Sequence, residues 1–278
     1  MRAPSDRPSR PVGWIAPGPA PAAPPRLGPG ADEDLSYLTG DWRIFQKRRG
    51  HRWSVDDLLT AWVAAEAVAA RPPAWALDLG CGIGSVLLMI AWRFPDARCA
   101  GIEAVLERAA CARRSVEWNG ASGRCSVLDG DLRDSAVLPS SDRFDLVTGT
   151  PPYFAPGTGG RHACGPCCFE QRGGVEDYCL AAARWLAPGG RFVTCSGEDH
   201  AARVPPAAAT AGLEITARLD VVPREGLKTL FAVYTMARVA PHDAVESRIV
   251  VRDRSGQWTD GFLRARAAMG LPPPTRRP

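Results

Sequence analysis

From Val55 onward, short apolar runs alternate with segments whose apolar residues recur every three or four positions, and this alternation limits the folds open to the chain more than any other feature. "VDDLLTAWVAAEAVAARP", from Val55 to Pro72, reads as a helix with Ser54 as its cap and a proline stop. "AWALDLG" then reads as a buried strand, "SVLLMIAWRFP" as a helix, "ARCAGIEA" as a strand, and "VLERAACARRSVEWNG" as a helix closed by glycine. Three further strands, "GRCSVLDGDL", "RFDLVTG" and "RFVTCSG", follow, with the helix and turn "GGVEDYCLAAARWLAPGG" before the last. Strand cores that are apolar throughout, interleaved with helices in units of roughly 20–30 residues, require a parallel sheet covered on both faces. "LEITARLDVV" and "TLFAVYTMAR", joined by "PREGLK", predict a hairpin at one edge of that sheet.

Composition matters at the two ends. Residues 1–30 are rich in proline, alanine and glycine, with four arginines and a single acid. Such a stretch cannot bury enough apolar surface to offset the entropy of ordering it, so residues 1–34 are read as a disordered tail. Residues 266–278, ending in "PPPTRRP", are read as a flexible tail on the same ground. Between them, residues 35–265 are long enough for one large domain. No stretch approaches 18 uninterrupted apolar residues and no secretory signal block opens the chain, so no membrane partner is expected. Nine cysteines, an odd number in a long chain, argue against a disulfide framework and for a reducing, cytoplasmic setting; the low serine content of the tail leaves organelle targeting a minor reading. The formal charge of +4 comes largely from the chain ends, so it permits an anionic partner without requiring one.

The chemistry concentrates in "LDLGCGIGSV", residues 77–86, between a strand and a helix. Gly80, Gly82 and Gly84, with Cys81 among them, let backbone approach a ligand closely. The spacing is not the G-x-G-x-x-G of a dinucleotide site, and Asp78 before the first glycine would repel a pyrophosphate while suiting an amino-acid-bearing ligand through bound water. The next strand ends in Glu103, placed to accept hydrogen bonds from both hydroxyls of a ribose, and the third ends near Asp131, placed for the exocyclic amine of an adenine. A single acid at a strand end is most often a solvated loop residue. Three around one glycine loop describe a ligand made of adenosine and an amino acid.

"LDLGCGIG", "GIE", "GDL" and the proline-pair stretch "TPPYF" occur in this order, and over residues 75–197 the chain resembles the class I methyltransferases that use S-adenosyl-L-methionine. The likeness is closer to the tRNA(Val) adenine-N6 methyltransferase group. "FQKRRGHRWSVDDLLTAW" is similar to that group's upstream segment at Gln46, Gly50, Arg52, Ser54, Asp56 and Leu59, and "IVVRDRSGQWTDGF", residues 249–262, is similar to a late one. The resemblance implies an α/β, Rossmann-like fold with a mostly parallel seven-stranded sheet, a C-terminal antiparallel hairpin and helices on both faces. It implies S-adenosyl-L-methionine as cofactor, with Gln46, Arg52 and Ser54 closing over it, and a tRNA or other structured RNA as partner of a monomeric enzyme.

The same resemblance explains why a buried strand ends on Pro151 and Pro152 followed by Tyr153 and Phe154. In related enzymes the residue before the prolines and the first proline's carbonyl accept hydrogen bonds from an NH2 group, while the ring stacks on the base. Here these are Thr150, Pro151 and Tyr153, with Phe154 walling the pocket. Thr150 departs from the family's asparagine or aspartate, and three readings stay open: a shorter version of the same grip, a different acceptor such as a small-molecule amine or a protein side chain, or loss of catalysis in a non-catalytic RNA-binding relative. The glycine-rich segment 155–174 suits a flap, with Arg161, His162, Glu170, Gln171 and Arg172 as its polar residues. His162 with Cys164, Cys167 and Cys168 lacks the second cysteine pair of a four-ligand zinc site, so no metal is assigned. "WRIFQKRRGHRW", residues 42–53, mixes cations and rings that suit either RNA contact or a solvated rim, and Arg252 and Arg254 would extend that surface.

Overall fold

The computed structural model describes residues 27–50, 52–152, 173–239 and 243–271. The chain opens with a hairpin of β1 (Glu33–Thr39) and β2 (Trp42–Lys47), then α1 (Val55–Ala67). β3 (Trp75–Leu79), α2 (Ser85–Arg93), β4 (Arg98–Glu103), α3 (Leu106–Trp118), β5 (Cys125–Asp129) and β6 (Phe144–Gly149) follow. α4 (Val175–Trp185), β7 (Leu186–Gly197), α5 (Val204–Thr210), β8 (Glu214–Arg224), β9 (Phe231–Ala237), β10 (Val245–Arg252) and α6 (Asp260–Ala268) complete the described chain.

The main sheet has eight strands in the order β10-β8-β9-β7-β6-β3-β4-β5. β9 runs antiparallel to both β7 and β8, and the other neighbours pair in parallel. One face carries α1, α2, α3 and α6 over Leu59, Leu88, Trp92 and Leu146; the other carries α4 and α5 over Leu79, Val147, Trp185 and Phe192. This is the expected α/β Rossmann-like methyltransferase fold, with the β8–β9 hairpin where the sequence predicts one. Two details differ. The hairpin is not at the edge, because β10 pairs in parallel outside β8 and makes eight strands instead of seven. β10 reads "VESRIVVR", with only Ile249 buried, so it lacks the continuous apolar core that marks the central strands.

The tail boundaries also differ from the sequence reading. Glu33 is buried, and its carboxylate pairs with Arg114 on α3 at 2.7 Å. At the other end α6 continues past residue 265, and Met269 and Leu271 are buried. Gly40, in the turn between β1 and β2, donates its N–H to the carbonyl of Gly270 at 2.9 Å, and the Tyr37 hydroxyl donates to that carbonyl at 2.6 Å. Trp92 fills the space between them: a Cβ on Gly40 or Gly270 would lie 2.1 or 2.4 Å from its indole, so only glycine fits at either position.

Six cysteines among the described residues are buried free thiols, and no described helix is long and apolar enough to cross a membrane.

Candidate active site

Parallel pairing brings the carboxyl ends of four strands together. Leu79 lies opposite Ile102 on one side and Gly149 on the other, and Glu103 lies opposite Asp129. The chain runs from β3 to β4 in one direction along the sheet and reaches β6 in the other, so the crevice between β3 and β6 is a topological switch point. The glycine loop leaves β3 there, and Thr150, Pro151 and Pro152 leave β6 beside it. Pro151 is buried, while Thr150 and Pro152 are partly exposed. Two prolines cannot extend the ladder, which ends the strand and turns the chain across the crevice.

The loop is shaped by positive backbone angles at Gly80 and Gly82 (φ +58° each) and at Gly84 (φ +88°), a region that favours glycine. The Cys81 N–H bonds the Ile102 carbonyl at 2.9 Å, and its thiol packs down against Gly101, where burial raises its pKa well above the ordinary range. Cys81 thus faces the sheet and offers a ligand only its backbone. A Cβ on Gly80 would lie 2.1 Å from the hydroxyl of Tyr178, and one on Gly149 would lie 2.6 Å from its ring. Tyr178, on α4, therefore underlies both halves of the crevice; burial, then the charges of Glu103 and Asp78, raise its pKa.

Three buried carboxyl groups surround the loop. Glu103 accepts from the N–H groups of Gly82 and Val105, both at 2.8 Å. Asp78 accepts from Leu87 N–H at 3.1 Å and from the Thr148 hydroxyl at 2.8 Å. Asp57 accepts from Ser54 N–H at 2.9 Å and from the side chain of Ser85, the residue after the loop. Burial pushes Asp78 up to about 7 and Asp57 up to about 8, the charge of Asp56 adding to the latter. The bonded partners of all three are backbone N–H groups and hydroxyls, with no lysine or arginine among them.

Asp78 thus joins β3, β6 and the start of α2 through its two bonds. Asp131 forms a two-bond pair with Arg133, at 2.9 and 2.7 Å. Arg52 is bonded to Asp34 and Ser36 of β1, and Gln46 accepts from Trp53 N–H at 3.2 Å, so the bonds of both hold the hairpin to the start of α1. Ser54 caps α1. Of the three rings in the basic stretch 42–53, Trp42 and Phe45 are core residues and Trp53 is partly exposed, while Lys47 pairs with Asp32 and Glu107. Tyr153, Phe154, Arg161, Gln171, Arg172 and the 162–168 cysteine and histidine cluster lie outside the described residues. Asp57, Thr148 and Tyr178 were not found by sequence reasoning. Asp57 carries a signal, since Ser54-x-x-Asp57 has the spacing of a capping box; Thr148 and Tyr178 carry none.

The geometry selects the charge and shape of a ligand. A Cβ on Gly82 would meet nothing within 4 Å, so space opens directly over the loop. Glu103, bonded to two backbone N–H groups beside that space and to no cation, suits a cation with hydroxyl groups and disfavours a phosphate. S-adenosyl-L-methionine, a sulfonium bearing an ammonium and a ribose, fits that donor set.

A methyltransferase-domain family matches residues 76–155. The chain is 31% identical over 221 residues to a tRNA1(Val) (adenine(37)-N6)-methyltransferase of Porphyromonas gingivalis, covering 74% of this chain and 83% of that protein. It is 30% identical over 211 residues to a release factor glutamine methyltransferase of Bordetella pertussis, covering 69% and 75%. A crystal structure of a predicted O-methyltransferase from Agrobacterium tumefaciens superposes with a TM-score of 0.58 at 20% identity, over 80% of this chain and 100% of that one, a likeness of fold. With the switch-point crevice, its acid-lined glycine loop and these relatives together, the chain belongs to the class I S-adenosylmethionine-dependent methyltransferases, as a relative of the tRNA1(Val) adenine-N6-methyltransferase family.

Proposed function

We propose that this enzyme methylates the N6 amine of an adenine in tRNA. The observation that carries the reading is the meeting of the Thr150-Pro151-Pro152 turn with the glycine loop at the switch point, in a chain spanning 83% of a tRNA1(Val) adenine-N6-methyltransferase. S-adenosyl-L-methionine, when bound, supplies a methyl group on a sulfonium. Gly80, Gly82 and Gly84 give its amino-acid end a close backbone surface, Glu103 accepts from the ribose hydroxyls, and Asp131 faces the adenine amine. On the acceptor side the Pro151 carbonyl and the Thr150 hydroxyl accept from the target NH2, and Tyr153 stacks on the base with Phe154 beside it. Arg161, Gln171 and Arg172 reach the RNA from the flap. Gln46, Arg52 and Ser54 act on the cofactor side through the hairpin and α1.

Alignment of a lone pair and exclusion of water account for much of the rate in such a transfer, so no strong acid–base pair is required. A base in a duplex would have to leave its stack, which favours an unpaired loop. The test is incubation of the enzyme and radiolabelled cofactor with total tRNA, total protein and a metabolite extract. Label in tRNA supports the reading, and label confined to another fraction overturns it. Label in polypeptide would support a second reading, favoured by the likeness to the release factor glutamine methyltransferase. Tyr153→Ala is expected to abolish turnover and leave cofactor affinity within about twofold, checked by calorimetry beside the transfer assay.

A further inference from the structure

A second cavity, of about 410 Å³, lies on the same edge of the sheet as the crevice, where β8 and β10 end and β9 begins. Its floor is apolar, with Leu58, Val221 and Phe231, and its walls carry Trp53, Trp258 and Phe262 together with the guanidinium groups of Arg252 and Arg266. Among the described residues, no carboxylate lines it. Arg266 lies 4.0 Å from the centre of the Trp258 ring and Arg252 5.5 Å from it, while Phe262 meets Trp258 edge to face at 5.8 Å. Glu225, beside Arg252, is paired with Arg254. The cavity and the crevice share α1: Ser54 lines the cavity, and Asp57, one helical turn on, bonds Ser85 at the end of the glycine loop.

We propose that this cavity is a stacking subsite for an unpaired nucleotide flanking the methylated one. The inference rests on the reading of an RNA substrate and adds to it where a second base is held. Indole and phenyl rings with guanidinium planes give a base surfaces on which to stack whatever its identity, and the exposed guanidinium of Arg252 suits a flanking phosphate. An apolar floor excludes water from beneath the base. Val55 and Leu58 of α1 line the cavity while Asp57, between them in sequence, bonds Ser85 at the end of the glycine loop, so a single helix borders both sites and sets this one beside the reacting nucleotide. The role also accounts for the late stretch 249–262, which supplies Val251, Arg252 and Trp258 to the cavity.

The test uses the full chain, total tRNA, a fluorescent single-stranded oligoribonucleotide and two variants, Trp258→Ala and the surface change Arg252→Ala. Thermal melts check that both are folded. For Trp258→Ala the oligonucleotide affinity is expected to fall about tenfold and KM for tRNA to rise by about as much, with kcat falling far less and cofactor affinity unchanged. Arg252→Ala is expected to reduce the slope of log affinity against log salt by roughly one. If the wild type labels tRNA and both folded variants keep its oligonucleotide affinity, KM and salt slope, the subsite is overturned while the proposed reaction stands. If tRNA takes no label but Trp258→Ala still weakens oligonucleotide binding, the reaction reading fails and the subsite stands. A raised KM for a labelled polypeptide, with no RNA binding by the wild type, overturns the subsite as an RNA site.

Discussion

Glu103 ties the loop to the strand beside it, because one carboxylate oxygen takes the Gly82 N–H and the other the Val105 N–H. A carboxylate has lone pairs left after two such bonds, and those are what a ribose would use. Glu103→Ala is therefore expected to weaken S-adenosyl-L-methionine binding by roughly 1–3 kcal/mol, read by calorimetry, the loss including both the ribose contact and the slackened loop. Thr150 is the residue on which the acceptor turns. If the turn grips an adenine amine, Thr150→Asn keeps or raises methyl transfer to tRNA, because the carboxamide oxygen reaches further toward the same NH2. A loss above about tenfold, ~1.4 kcal/mol of transition-state stabilisation, with unchanged cofactor affinity would instead mark a pocket fitted to another nucleophile.

At the scale of elements, α1 links the crevice, the second cavity and the hairpin, and its buried Asp57 makes the fold sensitive to pH. Burial holds Asp57 and Asp78 protonated in the folded chain up to about 8 and about 7, against ordinary values of 3.8 when unfolded. Below about pH 4 both states keep the protons and there is no cost; between about pH 4 and 8 only the unfolded chain gives them up, so stability falls as pH rises, and above that the cost is constant. Carboxylates held below their ordinary values, such as Asp34 and Glu176, lose their contribution only at more acidic pH. Melting is thus expected at lower temperature near pH 8.5 than near pH 5.5, and Asp57→Asn should narrow that difference by an amount on the order of 1 kcal/mol or more. The sequence made the central strands and helices legible because burial on both faces leaves uninterrupted apolar cores in "ALDL" and "DLVTG". It hid β10, which is polar on its exposed side, and β1–β2, whose residues read as a basic segment until Trp42 and Phe45 are seen in the core. At the site, the glycine loop and Glu103 were legible from order along the chain. The Asp78–Thr148 bond was not, because it joins residues 70 positions apart across neighbouring strands.

For the whole molecule, the meeting of Gly40, Trp92 and Gly270 makes residues 266–271 part of the domain. Truncation after residue 265 would remove buried Met269 and Leu271, each worth about 1.5–3 kcal/mol, and uncover Trp92. A drop in melting temperature on the order of 10 °C or more is expected, measured by calorimetry, with aggregation during purification as the stronger form of the same result. An unchanged melting temperature would mean that the clasp adds nothing to stability. The hairpin that opens the described chain takes its backbone partner from residues near the end of the described chain. On a ribosome, β1 and β2 therefore emerge long before Gly270 can close over them, and this corner stays unsealed until Gly270 has been made.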